Sequence, residues 1–210
     1  MSCPDFEIEA ALIRQGHVRI AGVDEVGRGP LAGPVTAAAV ILDPCALIDG
    51  LNDSKKLSAR VRNRLSATLH ARAEIAIAHA SVAEIDRLNI LRASHLAMMR
   101  AVAALDPAPD YLLIDGNLLP RGLTLAARAL VRGDSRSLSI AAASIVAKCA
   151  RDRLMVDLAQ QHPGYGWETN MGYPSKSHTA ALRDLGVTPH HRRSFRPVHH
   201  ILYQDKTVSD

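Results

Sequence analysis

Four carboxylates stand where apolar segments run out. Asp24 and Glu25 follow Ile20-Ala21-Gly22-Val23, Asp115 ends Tyr111-Leu112-Leu113-Ile114, and Asp134 ends Leu130-Val131-Arg132-Gly133. Burying an unpaired carboxylate among apolar residues is costly and demands compensation. Taken singly, each of these acids reads equally as a turn or N-cap residue. Their recurrence at three strand ends, each before a Gly-containing break, favours one shared site, because ligand sites in open α/β sheets collect at the carboxyl ends of strands. Without nearby Cys or His the donors are all oxygen, which suits a hard cation, Mg²⁺ or Mn²⁺, and not zinc. Such a cation orients a phosphate, helps generate hydroxide from water and stabilises a departing oxygen, as phosphodiester hydrolysis requires. Neighbouring strand residues point to opposite faces, so Asp24 and Glu25 can serve one site only where the strand ends or kinks. Gly27-Arg28-Gly29 is expected to supply that break.

The elements that must carry these acids follow from hydropathy patterning. Arg19 to Val26 reads as a strand, and Val35 to Leu42, a continuous apolar run, as a buried antiparallel neighbour. Ser58 is the expected N-cap of a helix to about Arg72, with Val61, Leu65 and Leu69 on one face, and Ala73 to Ala80 alternates as a strand. Ser81-Val82-Ala83-Glu84 has capping-box spacing and opens a helical stretch to about Leu105, stopped by Pro107 and Pro109. Tyr111 to Ile114 and Leu123 to Val131 read as strands, Ser139 to Gln161 as an Ala-rich helix ended by Pro163 and Gly164, and Lys176 to Leu185 as a helix in a polar tail. This order predicts an α/β fold, a mixed sheet with helices on its faces.

The chain of 210 residues, 48% hydrophobic and 22% charged, fits one large domain and argues against disorder. Its longest apolar run, Leu31 to Leu42, is well short of the roughly 20 residues that span a bilayer. Asp5, Glu7 and Glu9 do not make a signal peptide, so a cytoplasmic protein without a membrane partner is expected. Cys3, Cys45 and Cys149 are widely separated and lack C-x-x-C spacing, which argues against disulfides. Net charge is +4, and its distribution matters more than its size. Lys55 to Arg64 holds five basic residues and no acid; His190 to His200 holds Arg192, Arg193, Arg196 and four histidines, again without an acid. Each run reads as a solvated face or as a phosphate contact. One Trp, four Tyr and two Phe are too few for a single-strand binder built on stacked bases.

The stretch Ala21-Gly22-Val23-Asp24-Glu25-Val26-Gly27-Arg28-Gly29-Pro30-Leu31-Ala32-Gly33-Pro34-Val35 resembles the N-terminal signature of the bacterial ribonuclease HII family, the type 2 ribonucleases H. Asn52-Asp53-Ser54-Lys55-Lys56-Leu57, Ile114-Asp115-Gly116-Asn117, Gly133-Asp134-Ser135, Ser139 to Lys148, Arg151-Asp152, Gly172-Tyr173-Pro174-Ser175 and His191 to Phe195 resemble it in the same order, covering about Ile20 to Val198.

The resemblance implies a ribonuclease H-like catalytic domain over 18–162, with a helical, basic C-terminal extension over 163–210 packed on the same domain. It implies an endonuclease that cuts the RNA strand of RNA–DNA hybrids and nicks duplex DNA at embedded ribonucleotides, leaving 5′-phosphate and 3′-hydroxyl ends. Asp24, Glu25, Asp115 and Asp134 match the four active-site carboxylates, the first three being metal ligands, with Mn²⁺ or Mg²⁺ as cofactor. Gly27-Arg28-Gly29 matches the loop that reads the ribose 2′-hydroxyl, and Tyr173 the tyrosine beside the DNA side of the junction. Glycines let backbone approach a sugar, and the 2′-hydroxyl distinguishes RNA from DNA. Asn52, Ser54, Lys55, Lys148, Arg192 and Arg193 are further expected substrate contacts. Met171 stands where many relatives carry a basic residue. A monomer is expected, and the residues lend no support to a sliding clamp as partner. Two other readings stay open: a DNA-directed nuclease or strand-transfer enzyme of the same broad fold, and a non-catalytic hybrid-binding module.

Overall fold

Val35–Ile41 is apolar throughout and buried along its whole length, so it must be covered on both faces. In the computed structural model, which describes residues 3–203, it is strand β2 of a five-stranded sheet ordered β3-β2-β1-β4-β5. Residues 204–210 of the expected extension lie outside the described residues. Strand β1 (Ile20–Val26) pairs antiparallel with β2, as does β3 (Glu74–Ala80). On its other side β1 pairs parallel with β4 (Tyr111–Asp115), and β4 with β5 (Ala126–Leu130). Parallel pairing carries three carboxyl ends to one edge: Val23 lies opposite Ile114, and Asp115 opposite Leu130.

Period-two alternation divides β2 between two cores. Ala37 and Ala39 pack with Ala93, Ala97 and Ala101 of α4 (Ile90–Ala103). Ala38 and Val40 pack with Ala142 and Ile145 of α5 (Leu138–Gln161) and with Leu65 and Leu69 of α2 (Ala59–Arg72). Small residues let α5 lie close on the sheet, closest at Gly22, where a Cβ would collide with the backbone of Ser139 and Ile140.

The caps read from sequence form as expected. Ser58 accepts the Val61 N–H at 3.4 Å, and Ser81 and Glu84 make a reciprocal capping box at the start of α3 (Val82–Leu88). The single helix expected from there to about Leu105 is instead two. Asn89, at φ 68°, ends α3 and caps α4 by accepting the Arg92 N–H at 3.1 Å. Three helices escape the periodicity: α1 (Glu7–Arg14), the single turn α6 (Trp167–Asn170) and α8 (Arg196–Tyr203). Tertiary contacts make them. Glu9 of α1 is buried and accepts from the Ser137 hydroxyl at 2.6 Å and the Ser139 N–H at 3.0 Å at the start of α5. Val198 of α8 and Trp167 join Leu182 of α7 (Lys176–Leu185) in a cluster with Leu31, Met155 and Leu158, so the C-terminal extension shares a core with α5. Among the described residues no helix is long and apolar enough to cross a membrane.

Candidate active site

Asp24 lies near the end of β1, 5% exposed, and its Oδ1 accepts the Glu25 N–H at 2.7 Å. It turns toward α5 and Ser144, whose hydroxyl donates to the Ser54 hydroxyl at 2.9 Å. Glu25 turns to the opposite face, into a small pocket with Arg28, Ser94, His95 and Met98. The strand ends before Gly27, φ 93°, where the break was expected, but β1 runs through both acids to Val26, so alternation sets them on opposite faces. Asp115, ending β4, interacts with both and lines the Glu25 pocket. Its Oδ1 accepts the Gly133 N–H at 2.7 Å, which ties it to the single turn Gly133–Ser135 that holds Asp134.

Burial, then Glu25 and Asp115, push the Asp24 carboxyl well above the usual range. Burial also raises Glu25, opposed by Arg28, whose Nη1 lies 3.3 Å from Oε1. Asp134 is raised by burial, then by Asp53 and Asp115, with Lys55 opposing. Among the described residues no three His, Cys, Asp or Glu side chains are gathered closely enough to hold a metal ion as they stand. The donors nevertheless suit a hard divalent cation: all are oxygen, and their crowded negative charge is what such an ion neutralises.

This crowding has a stability cost with a definite sign. A carboxyl whose folded pKa is raised loses stability as pH climbs from its unfolded value, about 4, toward the folded one, because the folded state then binds more protons. At neutral pH the whole penalty is present. Asp24→Asn, which keeps an acceptor for the Glu25 N–H, is expected to raise the melting temperature of the metal-stripped protein at pH 7.5 by about 3–8 °C, and by less at pH 4. Differential scanning fluorimetry at both pH values checks this; a lower melting temperature at pH 7.5 contradicts it.

The loop after β1 is held from behind. Arg151 of α5 and Arg192 are both fully buried. Arg151 donates to the carbonyls of Ala32, Pro34 and Met171 at 3.0–3.1 Å. Arg192 donates to those of Gly27, Arg28, Gly33 and Pro34 at 2.6–3.2 Å. Burial lowers Arg151 to about 10; burial and then Arg151 lower Arg192 to about 9, so both stay cationic at neutral pH. Arg192 therefore cannot be the phosphate contact expected of it, whereas the Arg193 side chain is exposed. Gly27 has a packing requirement of its own. It sits at φ +93°, and a Cβ there would strike Arg151 rather than open space for a sugar. Gly29 is different: a Cβ would meet the Tyr173 ring at 3.4 Å, ordinary contact. Tyr173, 41% exposed, thus stands beside Gly29.

Of the other expected contacts, Lys55 is exposed and near Asp134, and Asn52 accepts the Asp53 N–H at 2.9 Å. Ser54 is corrected: it is buried, with its hydroxyl toward Ser144. Lys148 pairs with Asp152 at 2.7 Å. Sequence reasoning assigned no role to Ser144, Arg151, Asp53 or His95. A lone hydroxyl after the Ala141–Ala143 run was the available signal for Ser144; the buried arginines gave none.

Carboxylates at the carboxyl ends of β1 and β4 and just beyond β5, on a mixed sheet covered by helices, define a ribonuclease H-like nuclease. The crystal structure of the ribonuclease H2 from Pyrococcus horikoshii OT3 superposes with a TM-score of 0.77 at 24% identity, covering 90% of this chain and 100% of that one. A structure of Bst-RNase HIII in complex with Mn²⁺ gives 0.68 at 21% identity, covering 90% and 71%. The family model for ribonuclease HII matches residues 21–198. The ribonuclease HII of Ruegeria pomeroyi is 73% identical over 205 residues, 98% of this chain and 88% of its own. The chain belongs to the ribonuclease HII family. It is a type 2 ribonuclease H, an endonuclease acting on the RNA of RNA–DNA hybrids.

Proposed function

We propose that the chain also nicks duplex DNA on the 5′ side of embedded ribonucleotides, by hydrolysis dependent on Mn²⁺ or Mg²⁺, with Asp24, Glu25, Asp115 and Asp134 as its catalytic carboxylates. The observation that carries this reading is the adjacency of two arrangements at one sheet edge. The strand ends bring the four carboxylates to that edge, and the same loop after β1 sets Gly29 against an exposed tyrosine ring.

Asp24, Glu25 and Asp115 would hold the ion. When bound, it supplies charge neutralisation at the phosphate and a lowered pKa for the attacking water. The chain's own groups do the rest. The Glu25 N–H fixes Asp24, the Gly133 N–H fixes Asp115, and Arg28 balances Glu25. Asp134, on the turn tied to Asp115 and beside Lys55, would act on the attacking water or a second ion. Gly29 admits a ribose whose 2′-hydroxyl meets loop backbone, and Tyr173 packs on the deoxyribose beyond. Arg28, Asn52, Lys55, Lys148 and Arg193 line the path of the phosphates. The Mn²⁺ in the Bst-RNase HIII structure supports the class of ion. Residues 18–162 form the catalytic unit and 163–210 an extension on it, in a cytoplasmic monomer; three free cysteines, two of them exposed, accord with a reducing compartment.

The test uses matched duplexes that are all-DNA, single-ribonucleotide or continuous RNA–DNA hybrid, with Mg²⁺, Mn²⁺ or EDTA, at single turnover. Cleavage of the last two substrates in metal alone is expected, with 5′-phosphate products. Gly29→Ala, which fits the free protein, should slow single-ribonucleotide nicking by about a hundredfold by displacing the sugar by roughly 1 Å. Tyr173→Ala should harm that substrate more than the continuous hybrid. Cleavage of all-DNA duplex, or equal effects of Tyr173→Ala on both substrates, rejects junction reading.

A further inference from the structure

Behind Tyr173 lies a buried pair of imidazoles whose protons are fixed by their neighbours. His178 on α7 and His191 are both fully buried, with Nε2 atoms 3.2 Å apart. The Thr188 backbone N–H, which can only donate, points at His191 Nδ1 from 3.0 Å. The Thr188 hydroxyl lies 2.9 Å from the same nitrogen. His191 Nδ1 is therefore bare, and the neutral ring carries its proton on Nε2, directed at His178. The indole N–H of buried Trp167, also only a donor, points at His178 Nε2 from 3.0 Å. His178 Nε2 is thus bare as well, and its proton sits on Nδ1, 2.9 Å from the Tyr173 carbonyl. Each step leaves one choice. A chain of donors runs from Thr188 through both rings and ends on the backbone of the residue whose ring stands beside Gly29.

We propose that His178 and His191 are positioning residues: a neutral, tautomer-locked relay that sets the Tyr173 ring against the loop after β1. The proposal rests on the reading of Tyr173 as the residue that meets the DNA side of the junction. The Tyr173 N–H donates to the Asn170 carbonyl at 2.9 Å, and its carbonyl accepts from the Ser175 N–H at 2.8 Å as well as from His178. The backbone is held at both polar groups, which sets the position from which the exposed ring extends toward Gly29. The backbone just before Tyr173 is tied by Arg151 to the Met171 carbonyl at 3.0 Å and by the Leu31 N–H to the Gly172 carbonyl at 2.7 Å; His178 is the tie from α7 to the Tyr173 carbonyl itself. Neither ring can accept a second proton without setting N–H against N–H, at Thr188 for His191 and at Trp167 and His191 for His178. The ionisable groups packed around the pair, His162 at the end of α5, His190 and Tyr165, offer no carboxylate to stabilise an imidazolium. Burial accordingly lowers both histidines, His191 to about 3.

The first test uses the unaltered chain. Nitrogen-15 NMR of labelled histidines should show one ring protonated at Nδ1 alone and one at Nε2 alone, assigned to His178 and His191 through loss of each signal in a single variant. Neither should titrate between pH 7.5 and 5.5. A cationic ring, or the opposite tautomers, overturns the relay.

The second test is functional. His178→Leu removes the donor to Tyr173, whereas His178→Asn places an amide N–H close to where Nδ1 stood. His178→Leu should slow single-ribonucleotide nicking about tenfold, with less than threefold effect on the continuous hybrid, and Asn should restore most of the rate. In the Tyr173→Ala background, His178→Leu should cost nothing further. Equal losses on both substrates, or a full further loss in that background, show a purely structural histidine. If Tyr173→Ala does not itself separate the two substrates, the junction reading has failed and the relay is judged by the Tyr173 ring resonances. These must shift in His178→Leu and return in His178→Asn, and unshifted resonances reject the relay.

Discussion

Asp115→Asn is expected to abolish cleavage, lowering the single-turnover rate at least about a thousandfold, or about 4 kcal/mol of transition-state stabilisation. Asparagine is nearly isosteric and keeps an oxygen for the Gly133 N–H, so the link between β4 and the turn bearing Asp134 survives. What disappears is the one charge that both Asp24 and Glu25 feel. Those two acids lie on opposite faces of β1, so Asp115 at the parallel neighbour's end is the group able to join them into one cation site. Hybrid affinity should stay within about threefold, because no basic contact is touched and a negative charge near phosphate is removed. Quenched-flow cleavage and fluorescence anisotropy on the same preparation separate the two effects. A rate near that of the unaltered chain in saturating Mg²⁺ would reassign Asp115 to the fold.

The second large effect is one of stability. Arg192→Ala withdraws its donors from the carbonyls of Gly27, Arg28 and Gly33 in the loop after β1, and from Pro34, which keeps Arg151 at 3.0 Å. Each buried acceptor left bare costs about 1–3 kcal/mol, offset in part because a buried cation is no longer desolvated. A net loss of about 3–5 kcal/mol, and a melting temperature lower by about 10 °C, is expected. Arg192→Lys should rescue little, since one compact ammonium cannot span carbonyls that a planar fork reaches together. Arg193→Ala, one residue on, should leave the melting temperature unchanged and weaken binding to hybrid and all-DNA duplex alike, reducing the salt slope by about one. If Arg192→Ala melts normally and instead reduces the salt slope, Arg192 is a phosphate contact after all.

These two arginines show how adjacent residues of one type part company. In sequence, Arg192 and Arg193 belong to a single basic run without an acid, and nothing local distinguishes them. In the fold, Leu31 accepts from the Arg192 N–H at 2.8 Å and draws that side chain beneath the loop, while Asp86 accepts the Arg193 N–H and leaves its guanidinium outside.

The sequence by itself determined the mixed sheet, because unbroken apolar runs, alternation and capping spacing act over a few residues and survive tertiary packing. It also singled out Asp24, Glu25, Asp115 and Asp134 as candidates, since all four end apolar segments, and the fold brings those segment ends to one sheet edge. Tertiary structure decided what depends on residues far apart in the chain. It put Glu25 on the opposite face of β1 from Asp24, because the strand runs through both residues and ends only at Val26. It gave Gly27 to Arg151 and left Gly29 to Tyr173, turned Ser54 inward to Ser144, and formed α1 through the burial of Glu9 at the start of α5. Burial is the common reason: a hydroxyl, an imidazole or a guanidinium carries no mark in sequence of whether it will meet solvent, a phosphate or a carbonyl, and only the packed chain assigns its partner.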